Sequence, residues 1–243
     1  MSTVALAGVE LRKATDTRAA RWLLAAVAAL TAAAPALQAA FGAPGGRTLS
    51  ALAATGHIPV SVLLPVLAVL SVTSEWSQRT ALTTFALVPG RWRVVAAKLL
   101  AVVALGLGAA VVAFGAGAAA FAAASAAGRA DGGWDLPAGL AARLALVDVA
   151  TVLCGFGFGL LVGGSAAAVA AYYAVPVGWA AAGRLVPALE PAARWLDMSR
   201  TRAPLAGPGV TMDDWARFGA SALLWVGLPV LLGAIRTARR EVA

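Results

Sequence analysis

Long apolar runs separated by short charged stretches set the pattern of this chain. Residues 22–41 carry no charge over twenty positions, about 30 Å as a helix, enough to cross the hydrocarbon of a bilayer. Positions 57–73 predict a second span, with the uncharged stretch before it lying along the outer surface and His57 solvated near that surface. A third span is expected at 95–125, inside thirty uncharged residues from Leu99 to Gly128, so it tilts or protrudes. Leu144 to Gly183 is forty residues with one charge, Asp148, too long for one crossing. The turn signal Gly163-Gly164-Ser165 divides it into spans at 142–163 and 166–183. A last span follows at 217–235. The pattern predicts an all-α membrane protein, one domain over 1–243, with six transmembrane helices.

The polar segments between these runs have patterns of their own. At the N-terminus, residues 1–21, Val4, Leu11, Ala14 and Trp22 share one face of a helical wheel, a weakly amphipathic stretch leading into the first span. Between spans two and three, Ala81, Leu82, Phe85 and Val88 fall on one arc, with Arg79 and Thr83 opposite. Pro89-Gly90 ends that helix, giving a short amphipathic element over 77–88. Residues 184–215 are broken by Pro187, Pro191, Pro204 and Pro208, with a short surface helix expected at 192–198. Thr211 and Asp214 have the spacing of a capping box for the last helix.

Composition agrees with a membrane setting. Hydrophobic residues make up 61% and charged ones 12%, and mean hydropathy is +0.84, against roughly 25% charged in soluble domains. The net charge of +8 follows topology and does not call for nucleic acid. Segments expected inside hold eleven basic residues against four acids, and outside ones eight against six. Both termini are therefore expected to be cytoplasmic. Neither lysine, Lys13 or Lys98, stands in a P-loop, and a single histidine and a single cysteine leave no metal cage or Cys–His nucleophile pair. No catalysis is expected. Asp148 is the acid inside an apolar run, hence a candidate intramembrane polar site. It is expected about 9 Å from the outer end of its span, paired with Arg143 or Arg184 or reaching water, and tolerant of Asp148→Asn. Gly155, Gly159 and Gly163, at i, i+4 and i+8, offer one bare face for helix packing.

Ser74-Glu75, Arg79-Thr80, Leu87, Pro89, Arg91 and Lys98 together resemble the cytoplasmic loop of ABC-2 type transporter permeases. Arg79 stands where many members have glycine, and Gly90 where a basic residue is common. The resemblance implies that the 77–88 element is a coupling helix seated on a separate ATPase, with Glu75, Arg79, Thr80, Leu82, Phe85, Val88, Pro89 and Arg91 as its contact residues. It also implies that the N-terminal segment is an interfacial elbow helix and that 192–198 belongs to an outer re-entrant element. The implied function is the permease subunit of a bacterial inner-membrane exporter, working by alternating access. Its partners would be the ABC ATPase, a second permease copy or paralogue, and the bilayer. ATP and Mg would bind the ATPase subunit, and this chain would need no cofactor. The alternatives are a non-transporting immunity or scaffold protein, and a secondary transporter. A secondary transporter usually places more polar groups in repeated halves, and no such repeat is seen.

Overall fold

The computed structural model describes residues 2–77 and 91–239. Their regular elements are all helices, without a strand, and six of the helices are long and apolar enough to cross a membrane. The chain therefore has the architecture of a multi-pass membrane protein. The 77–88 element expected from the sequence falls almost wholly outside the described residues, as do the side chains of Glu75, Arg79, Thr80, Leu82, Phe85, Val88, Pro89 and Arg91.

Helix α1, Thr3–Asp16, is capped by the Ser2 hydroxyl, which accepts from the Ala5 amide. Thr17 then turns extended and caps α2, Arg18–Phe41, by accepting from the Ala20 amide. A side-chain cap at the break makes α1 a separate element from the first candidate span. Trp22 and Phe41, near the two ends of α2, are largely exposed, as aromatic residues at membrane interfaces are.

Helix α3 covers Leu49–Ser77, starting eight residues before the expected 57. The Thr48 hydroxyl accepts from the Ala51 amide and fixes that start. Pro59 and Pro65 lie inside the helix rather than marking its beginning. The stretch expected at the outer surface is thus membrane helix, with Leu52 and Ala53 fully buried. Helix α4, Arg91–Ala126, has 36 residues, or about 54 Å, more than a bilayer core requires. Its last turns and the α4–α5 connection meet the α2–α3 turn, where the Asp131 carboxylate accepts from the amides of Gly45 and Arg47, both at 2.8 Å.

Helix α5, Leu140–Val162, ends on Gly163 at φ 80°, a left-handed cap that glycine takes without strain. After Gly164, α6 begins at Ser165 and runs to Leu185. The expected hairpin turn is there, and Gly163 serves it as the cap of α5. Short helices α7, Glu190–Leu196, and α8, Met198–Arg202, follow. The last span is α9, Met212–Ala222, a π turn at Leu223–Gly227, and α10, Leu228–Arg239. The Thr211–Asp214 capping box opens α9. Pro229 has no amide hydrogen for the carbonyl four residues back, and the ladder widens just ahead of it.

Helices α3 and α5 form the centre. More than half of each lies buried, against about a tenth of α6. Small residues set how near they come. A methyl carbon added at Gly155 would sit 2.5 Å from the Pro65 carbonyl oxygen, and one at Gly159 would sit 3.2 Å from the Val69 Cα. Against the other side of α5, a methyl carbon at Gly233 would fall 2.4 Å from the Leu160 Cβ. Leu64, Leu67, Val152 and Phe156 fill the remaining space.

Candidate functional site: a buried His57–Asp148 pair

Helices α3 and α5 enter the bundle from the same side, because among the described residues one membrane-length helix, α4, returns the chain between them. His57 stands eight residues past the start of α3, and Asp148 eight past the start of α5. At 1.5 Å per residue both lie about 12 Å along their helices. The close approach at Gly155, two turns further on, brings the helices near enough for the two side chains to meet. His57 Nδ1 is 2.5 Å from Asp148 Oδ2. His57 is 5% exposed and Asp148 0%.

This corrects two sequence expectations. Asp148 does not pair with Arg143 or reach water. Arg143 instead donates to the carbonyls of Ala138, Leu205 and Gly207 and holds the α8–α9 connection. His57 is a buried partner and not a solvated residue. Both expectations failed for one reason: the start of α3 was placed eight residues late, so His57 seemed to lie at the surface. With α3 starting at Leu49, the shared offset of eight is a signal that the sequence does contain.

The pair is only half satisfied. The Thr151 hydroxyl donates to the Asp148 backbone carbonyl, not to its carboxylate. His57 Nε2 and Asp148 Oδ1 are buried without a hydrogen-bond partner among the described residues. Buried polar atoms in that condition are costly, and here two of them belong to one contacting pair. One proton shared by the pair leaves it neutral, whether carried as a carboxylic acid beside imidazole or as carboxylate beside imidazolium. A second proton, or none, would put net charge in a low-dielectric interior. The pair can therefore exchange a proton only together with a change in its surroundings. No group of three or more metal-ligating side chains occurs among the described residues.

A second buried ion pair lies at the opposite end of the bundle. The Lys98 ammonium, near the start of α4, donates to Glu10 Oε2 at 2.5 Å and to the Ser71 carbonyl at 3.2 Å. Lys13 also donates to Glu10, at 3.1 Å. Glu10 is 3% exposed. Burial works to raise its pKa, but the charge and hydrogen bond of Lys98, with Lys13 beside them, outweigh burial and hold the carboxyl below its ordinary value. Three elements are pinned there: α1, the last third of α3, and the start of α4. At the same end, the Arg236 guanidinium donates to the Leu161 and Val162 carbonyls and ties α10 to the end of α5. Sequence reading placed Glu10 in a charge count and Lys98 in the loop motif, and did not join the two. Nothing in their spacing joins them, since they stand 88 positions apart.

Comparison with known proteins found no family model that matches the chain and no matching curated relative.

Proposed function

We propose that the chain is the membrane permease subunit of an ATP-binding cassette exporter of the ABC-2 type, lying in a bacterial inner membrane with both termini in the cytoplasm. The observation that carries this reading is the Glu10–Lys98–Ser71 cluster. It joins α1 to the two helices, α3 and α4, that flank residues 78–90, within the Ser74–Lys98 stretch that carries the ABC-2-like motif. A buried ion pair with a bound carbonyl resists being pulled apart, because separation strands charge in an apolar setting. A push delivered to the 78–90 segment by a separate ATPase would then move α3, α4 and α1 as one body. In this reading α1 is the interfacial elbow, and two permease copies and two ATPase subunits make the working unit. Alternating access follows if that body tilts against α5 and α6 and opens the outer half of the bundle.

One observation favours a second reading. A buried, half-satisfied His57–Asp148 pair is the kind of group a proton-coupled secondary transporter uses. The two readings separate on the energy source. Purified chain should hydrolyse no ATP, and the same chain purified with the ATPase from a neighbouring reading frame should. Hydrolysis by the chain free of any partner would remove the exporter reading. So would failure of every neighbouring ATPase to bind, combined with substrate movement that follows an imposed pH gradient.

A further inference from the structure

A cavity of about 180 Å3 opens among α3, α5, α6, α8 and the π turn. Its floor is fixed. The Tyr172 ring meets Phe158 and Tyr173 edge-on, and Trp225 Nε1 donates to the Leu196 carbonyl at 2.6 Å. Cys154, 5% exposed, completes that apolar base. At the rim stands Arg202, the last residue of α8. Its charge acts on Asp148 and on Tyr172, yet its guanidinium makes no hydrogen bond or ion pair among the described residues. Asp148 is itself held by His57, so it leaves the guanidinium without a close counter-ion. The cavity has a side opening as well. Val62 on α3 and Val177 on α6 line it and are 44% and 67% exposed on the outer surface of the bundle.

An open guanidinium over an aromatic, apolar floor is complementary to an acidic head on an apolar chain. The planar donor fork of arginine matches a carboxylate or phosphate, and the rings below give a dry seat for the chain. A neutral head of the same size would leave the partly desolvated guanidinium without an anion, which costs affinity.

We propose that this cavity binds an anionic single-chain amphiphile of the membrane. Its acidic head rests on Arg202, its chain lies over Tyr172 and Trp225, and it enters from the bilayer between Val62 and Val177. Such amphiphiles are the substrate class of the exporter. The binding site stands on the cavity alone, and the word substrate rests on the exporter reading.

The test uses the full chain, purified in detergent without an ATPase, and three photoreactive probes with the same diazirine-bearing chain. One ends in a carboxylate, one in a phosphate monoester and one in an alcohol. Cross-linked peptides are mapped by mass spectrometry. The expected result is labelling of the segments around 172 and 225 by the two acidic probes, competed by unlabelled palmitate and not by hexadecanol. Preference between the two acidic probes tells a fatty acid from a lysophospholipid. Arg202→Gln should weaken acidic-probe binding at least about ten-fold and leave the alcohol probe unchanged. Val177→Trp should slow labelling by both acidic probes by blocking entry, and it decides the matter if the Arg202 variant does not fold. Equal labelling by acid and alcohol probes would overturn the proposal, as would labelling confined to other segments. A failure here leaves the exporter reading standing, because no ATPase takes part. Binding that leaves the ATPase rate of the assembled complex unchanged would overturn the substrate assignment and keep the site.

Discussion

The molecule holds two buried ion pairs, and they differ in how completely each is satisfied. Glu10 receives hydrogen bonds from Lys98 and Lys13, and Lys98 also reaches the Ser71 carbonyl. His57 and Asp148 hold only each other through their side chains, with one polar atom left over on each. Both pairs join distant parts of the chain, across 88 and 91 residues. A satisfied buried pair resists change and so serves as a pin. A half-satisfied one is poised to take a proton, a water or a ligand when the helices move. In the proposed exporter, the first would serve mechanical connection and the second the transport step.

The largest expected effect comes from cutting the pin. Glu10→Ala takes away the buried carboxylate to which Lys98 and Lys13 both donate, a loss of about 3–5 kcal/mol. Thermal unfolding in detergent should show it, and hydrogen exchange should rise across α1 before the other helices. Adding Lys98→Met should recover part of the loss, since both charges of the buried pair are then removed together. Acid should imitate the first variant. The Glu10 pKa is depressed, so its contribution is present at neutral pH and is lost as pH falls through the folded-state pKa, below the ordinary glutamate value of 4.5. If α1 keeps its protection in Glu10→Ala, the pin is no pin.

A smaller effect, and one that bears on the other pair, should follow Gly155→Ala. The new methyl would meet the Pro65 carbonyl oxygen at 2.5 Å, so α3 must move away from α5. The cost is about 1–3 kcal/mol. The same movement should stretch the His57–Asp148 contact, visible as a change in the imidazole NMR signals of the single histidine. Unmoved signals would mean that helix packing does not set the pair's geometry.

Asp148→Asn is expected to split stability from function. An amide can still meet the neutral imidazole, so stability should fall by only about 1–2 kcal/mol. Ligand-stimulated ATPase activity of the assembled complex should nevertheless drop at least about ten-fold, since the shared proton is gone. Activity close to wild type would return Asp148 to a structural role. Asp131→Ala serves as the solvent-facing control. Water can replace the carboxylate at the Gly45 and Arg47 amides, and about 1 kcal/mol or less should be lost with activity retained.

The six spans were legible in the sequence because a membrane helix must be apolar along its length, and length alone then identifies it. The Gly163-Gly164 turn and the Thr211–Asp214 cap were legible because both signals are local. What the sequence hid was relational. Pro59 reads as a helix start when only neighbours are weighed, and it lies in the eleventh position of a helix that tertiary packing supports. His57 meets Asp148 only because α3 and α5 pack closely at the same depth, and the Glu10–Lys98 contact depends on α1 folding back against α4. Neither contact leaves a periodicity to read. The π turn ahead of Pro229 was equally hidden, although that proline points to it once the helix is known to continue.

The most direct measurement of the central claim concerns the 77–88 element and its ATPase. Co-purification of the neighbouring ATPase is compared among wild type, Phe85→Ala and Arg79→Glu at equal membrane abundance. Burying a phenylalanine at an interface is worth roughly 1.5–3 kcal/mol, so Phe85→Ala should reduce assembly ten-fold or more. Arg79→Glu should weaken it in a salt-dependent way, because a charge at an interface rim acts through screened attraction. Unchanged recovery of the ATPase with both variants would contradict the assignment of this segment as the coupling element, and with it the exporter reading.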